Sequence, residues 1–175
     1  MPKYRKMLSD WDAPYIQTII KLVETQSKET IANWCVDYAT AHLLPIYVEA
    51  YPDDLRPALA LRAARDWLAG EIKLPEAKVA ILDCHAAARD AEGNPTAQAA
   101  ARAIGQCAST IHAATHCAGL MLYGALADAY YKLGVKAEWS ELLIAAEKEC
   151  GRMEKALRKV LVENEQNPAK LNWKC

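Results

Sequence analysis

No charged side chain occurs between Arg102 and Asp128. This run lies inside an alanine- and glycine-rich segment, Pro95 to Tyr131, that carries His112 and His116 near its middle. So uncharged a stretch is a poor surface for water, which places it at the centre of the fold with other helices around it. It is not a membrane span, because Gln106, Ser109, Thr110, His112, Thr115 and His116 interrupt it. As one straight helix, about 37 residues would reach about 55 Å. That is too long for a compact domain of this size, so a break is expected from His112 to Thr115, with Thr115 capping the second half. Gly105, Gly119 and Gly124 weaken helix propensity and predict close approach of neighbouring backbones.

The flanking sequence reads as further helices. Asp12 is a candidate cap before Pro14, followed by Tyr15, Ile16, Ile19, Ile20 and Val23 at helical spacing. Ser27 can cap a second helix with Ile31, Trp34, Cys35, Tyr38, Ala39, His42 and Leu43 on its apolar side, and Pro45 should kink or end it. Tyr51-Pro52-Asp53-Asp54 reads as a turn and cap. The third helix carries Leu59, Leu61, Ala63, Ala64, Trp67 and Leu68 and stops at Gly70. Pro75 opens a fourth, with Val79, Leu82, Ala86 and Arg89 along one side and Ile81 and His85 beside them. Gly93-Asn94-Pro95 stops that helix and starts the next. Gly134 ends the sixth. The last helix turns Leu142, Leu143, Ala146, Cys150, Met153, Leu157, Val160 and Leu161 one way, with Glu147, Lys148, Lys155 and Lys159 mostly on the other side. The expected fold is all-α: a single compact bundle of about seven helices over residues 1–175, with 166–175 a weakly ordered tail in which Trp173 could dock.

Composition narrows the function. The net charge is -1, leaving no basic field for nucleic acid or an anionic membrane. The amino terminus has no apolar run of a secretory signal. Six cysteines at 35, 84, 107, 117, 150 and 175 form no CxxC pair and read as reduced thiols of a cytoplasmic protein. No phosphate-cradling glycine loop is present, and no cofactor is implied.

His112 and His116 would share a face of a continuous helix, and His85 or Cys117 could complete a metal set. With no carboxylate in the stretch, a structural role for the two histidines is favoured. His85 and Arg89 are also four apart. Asp37 sits in an apolar helix and, if buried, requires a partner such as Arg62 or Arg65. Arg102 is the last charge before the quiet run. Asp37, Arg62, Arg65, His85, Arg89, Arg102, His112 and His116 therefore form a candidate polar cluster, without an assigned catalytic residue.

Four segments in order, NWCVDYATAHLLPIYVEAYPDD, RPALALRAARDWLAGEI, HAAARDA and AAARAIGQCASTIHAATHCAG, resemble the immunity proteins of bacterial polymorphic-toxin systems, the immunity family five-like group. The resemblance covers roughly residues 30 to 131. It implies an all-helical intracellular protein that binds and neutralises a cognate toxin. The family pattern falls on Trp34, Asp37, Arg62, Arg65, Trp67, His85, Arg89, Arg102, His112 and His116, and commonly has a proline where this chain has Ala113. The leading expectation is a non-enzymatic binding protein. The runner-up is a metal-binding or small-molecule enzyme with a pocket lined by His85, His112, His116, Asp37 and an arginine. A third reading is a homo-oligomer formed through alanine and glycine faces.

Overall fold

A computed structural model describes residues 4–174 of the chain. The helices run in the order α1 (Pro14–Val23), α2 (Lys28–Tyr38), α3 (Leu44–Ala50), α4 (Arg56–Leu68), α5 (Leu74–Asp90), α6 (Pro95–Ser109), α7 (Ala125–Leu133) and α8 (Trp139–Val160), with no strand among the described residues. A π turn, Ala39–Leu43, joins α2 to α3 in one bent rod. A 3-10 turn, Ala114–Cys117, and a second π turn, Leu120–Gly124, lead into α7. Taking each continuous rod once gives the bundle of seven that the spacing predicts.

Helix α6 is the axis. It packs against α2, α3, α4, α5 and α7. From Ala97 to Ile111 every residue is buried except Arg102 and Gln106. Ile104, Leu120, Met121 and Leu126 are wholly enclosed around it, and each such side chain contributes about 1.5–3 kcal/mol by leaving water. The small residues of α6 let five neighbours close in.

Local signals explain most boundaries. The Ser27 hydroxyl accepts the Thr30 N–H at 3.1 Å, and the Asn94 side chain accepts the Ala97 N–H at 3.1 Å. Glu76 reaches back to the Lys73 N–H at 3.0 Å. Gly70 and Gly134 take the positive φ values, 76° and 82°, that end α4 and α7. Two expected caps are not used. Ala13, not Asp12, precedes α1, and its own carbonyl accepts the Ile16 N–H at 3.0 Å. Thr115 lies within the 3-10 turn; the break comes earlier, where Ala113 is extended (φ -144°, ψ 103°). The chain therefore breaks there without a proline.

The π turn supplies the kink expected at Pro45. Its extra residue accommodates Pro45, which lacks an N–H, so the rod bends and continues. The same extra residue shifts the register, and His42 is exposed rather than inward, with its ring 4.4 Å from Tyr38. Leu59, Val79 and Leu82, which spacing assigns to apolar helix sides, are 52%, 62% and 65% exposed. On α5 the core face belongs instead to Ala77, Ile81, Cys84, Ala87 and Ala88.

The end of the chain packs back on its beginning. Ala169 N–H donates to the Gln26 carbonyl at 2.8 Å, and the Trp173 indole donates to Glu24 at 2.9 Å while lying 5.4 Å from the Trp11 ring. Cys35, Cys84, Cys107, Cys117 and Cys150 are buried free thiols; Cys175 lies outside the described residues. No helix among the described residues is long and apolar enough to cross a membrane.

Asp54 ties three helices together. It accepts the Arg56 N–H at 3.1 Å, the Arg56 guanidinium at 2.8 and 2.9 Å, and the Tyr47 hydroxyl at 2.7 Å; Arg56 also reaches Asp90 at 2.8 Å. The Arg56 guanidinium, helped by the Tyr47 hydroxyl, holds the Asp54 carboxyl down from 3.8 to about 2. A depressed folded pKa gives stability that is present above the unfolded value and lost as pH falls toward the folded one. Thermal midpoints measured from pH 5 to pH 2 should therefore fall more steeply for the parent chain than for Asp54→Asn. Equal slopes would show that this carboxylate does not drive acid unfolding.

Candidate functional site

The two outlets in the wall of α6 define the site. Arg102 and Gln106 are one helical turn apart, with Gly105 between them. His85 of α5 lies directly on Gly105: a Cβ there would stand 2.7 Å from the ring Cε1 and 2.8 Å from Nδ1. Gly119 is filled in the same way by the Gln106 side chain, which a Cβ would overlap. Gln106 Oε1 and His116 Nδ1 are 2.7 Å apart. With the amide oxygen accepting, His116 donates through Nδ1 and keeps Nε2 as the acceptor of the neutral ring.

His112 stands against His116, ring centroids 5.4 Å apart and planes at 63°. The break at Ala113 removes the helical spacing that was expected to pair these two, yet the turn brings them together. Lys78, His85 and Arg89 recur along one stripe of α5. Burial lowers the pKa of all three imidazoles. His85 is lowered further by His116, Arg89 and Arg102, and His112 by His116 and Lys78. No carboxylate pairs with Lys78, Arg89 or Arg102 among the described residues. The Nε of Arg102 is buried without a hydrogen-bond partner.

The other candidate residues make different contacts. Arg65 pairs with Asp37 at 2.7 Å, but the two side chains are 46% and 59% exposed, so Asp37 is not the buried acid its apolar helix suggested. Arg65 also reaches the Thr40 hydroxyl at 3.4 Å. Arg62 is exposed, 3.9 Å from Asp66. None of these pairs with a member of the histidine group. Among the described residues no three His, Cys, Asp or Glu side chains converge to hold a metal.

Sequence reasoning missed a second polar centre. Glu149 and Asp128 are 1% and 8% exposed. The Tyr38 hydroxyl donates to Glu149 at 2.6 Å; the Arg152 guanidinium pairs with Glu149 and lies 3.2 Å from Asp128, which Lys132 meets at 2.7 Å. Burial, then the bond to Glu149, raises the Tyr38 pKa. A cavity of about 190 Å³ beside this network is lined by His42, Pro45, Asp128, Tyr131, Lys132 and Arg152. The available signal was an acid on an apolar stripe: Glu149 lies between Ala146 and Met153 at helical spacing. Two acids and two bases balance here, which reads as an internal brace.

The two centres respond differently to substitution. Gly105→Ala should destabilise the fold by about 1–3 kcal/mol through overpacking against His85. In a double-mutant cycle by urea denaturation, His85→Ala should recover part of that loss; strict additivity would mean the ring is not the obstacle. Arg152→Ala leaves Glu149 buried without its cation and should cost about 3–5 kcal/mol. A loss below about 1 kcal/mol, the range of an exposed pair, would remove the brace interpretation.

The geometry thus describes an all-α protein with one neutralised internal network and one basic cluster that reaches its surface. A family model described as Imm-5 like putative immunity protein matches residues 21–156, and the chain belongs to that family. No curated protein matches the chain, and no solved structure does.

Proposed function

We propose that the chain is a non-enzymatic immunity protein that occludes a cognate toxin of a polymorphic-toxin system. Family membership over residues 21–156 carries this reading. The surface suits it. Leu55, just before α4, and Leu59 within it are 61% and 52% exposed and share an outer stripe with the exposed Arg62. Val79 and Leu82 stand exposed on α5, which runs antiparallel to α4 and is tied to it by Arg56 and Asp90. Apolar side chains left outside a core, with an arginine among them, are what a partner surface uses as anchors. Neutralisation by occlusion needs no reactive group, only a rigid complementary face.

The test is protection from a candidate cognate toxin domain. Purified protein should inhibit that domain up to a one-to-one ratio. Leu59→Asp with Leu82→Asp should keep the helical content but weaken inhibition by about 100-fold or more, as for loss of two interface anchors. Complete protection at a small fraction of the toxin concentration would instead mean turnover, and the occlusion reading would fall.

A further inference from the structure

We propose that Lys78, His85, Arg89, Arg102 and His116, with His112 at the rim, form a binding site for a phosphate group, either inorganic phosphate or the terminal group of a phosphate monoester. Lys78, His85 and Arg89 lie along one stripe of α5, His85 rests on Gly105 three residues from Arg102, His116 meets Gln106 and stands against His112, and none of the three cations is paired with a carboxylate among the described residues. The contrast with the second centre is direct. There, Arg152 and Lys132 each meet an acid, and the charge closes on itself.

Arg102 provides a second, independent observation. A buried guanidinium N–H without a partner is costly, because desolvation is not offset by a hydrogen bond. The Nε of Arg102 is in that state, on the part of α6 that opens outward. Arg102 stands three residues before Gly105, on which the His85 ring rests, and its charge is among those that lower the His85 pKa. An oxyanion at this position would accept from Nε and answer the cluster's charge together.

The donor set favours phosphate over a single carboxylate. Two guanidinium forks and one ammonium suit several terminal oxygens and a charge near -2, and His116, whose Nδ1–H is held by Gln106, adds a donor at Nε2 when it is protonated. The floor is also held in place. Gly105 seats His85, and Gly119 seats Gln106, which orients His116 at 2.7 Å. These contacts hold the His85 and His116 rings, so little freedom of those two side chains is lost on binding. This site does not depend on the toxin reading: the ligand would bind the isolated chain.

Calorimetric titration of the full chain with inorganic phosphate and, separately, phenyl phosphate tests the site at constant ionic strength set with sodium chloride. Both should bind at a single site; tighter binding of phenyl phosphate would identify an esterified ligand as the better occupant. Arg102→Met, which removes the unpartnered Nε and so should fold normally by circular dichroism, should weaken binding by about tenfold or more. His85→Gln should weaken it as well, and Arg62→Met, away from the cluster, should leave it unchanged. In the parent chain, phosphate should move the nitrogen resonances of His85 and His116 where chloride does not. Absence of binding to either ligand at about 10 mM would overturn the proposal. Equal binding by folded Arg102→Met would do so too.

Discussion

A helix enclosed on every side must place each polar group it carries, and α6 carries two that reach the boundary. The rest of the structure follows from that enclosure. Six alanines and a glycine among its fifteen residues let five helices approach it closely. Where even alanine is too large, glycine stands: Gly105 under the His85 ring and Gly119 over the Gln106 side chain. Arg102 and Gln106 then emerge between packed helices, and the imidazoles of His85 and His116 meet them there. Core packing and the basic cluster are consequences of one close approach.

The two polar centres differ in a way that separates support from recognition. Around Glu149 and Asp128 the charges are satisfied by Arg152, Lys132 and the Tyr38 hydroxyl. Burial makes that network expensive to disturb, and it leaves little charge for a ligand. Around Arg102 the positive charge is unanswered by a carboxylate among the described residues, the imidazoles are held toward their neutral form, and one guanidinium nitrogen is unpartnered. The outer face of α4 and α5 adds apolar side chains beyond the core. An immunity protein needs such a face; the cluster adds a chemistry of its own.

Much of the fold was legible because its signals are local. Ser27, Asn94, Gly70 and Gly134 act within a few residues of themselves, and their roles can be read from type and position. The family pattern could be recognised from its segments for the same reason. Apart from the unused caps at Asp12 and Thr115, the misreadings involve packing across distance. Leu82 is a suitable core residue by type, but α5 meets α6 so closely that smaller side chains hold most of that face. Cys84, Ala87 and Ala88 fill it, with Ile81 the one large residue among them. Glu149 was overlooked because an acid reads as solvated until Tyr38 and Arg152 arrive from 111 residues before and 3 residues after it. Asp37 meets Arg65, one of the partners expected for it, but the pair is exposed although the neighbours of Asp37 in sequence are apolar.

An all-α bundle about an uncharged axis, a break near the paired histidines and membership of the family could all be read from the residues alone. They follow from propensity, capping and the cost of burying charge, which each segment carries wherever it is placed. Which polar residues share surroundings is a matter of how the helices pack. Lys78, His85 and Arg89 come from α5, Arg102 and Gln106 from α6, and His112 and His116 from the turn beyond it. Whether such groups neutralise one another or remain free to hold a ligand depends on distances between helices, and those distances are set by the small residues on which the helices meet.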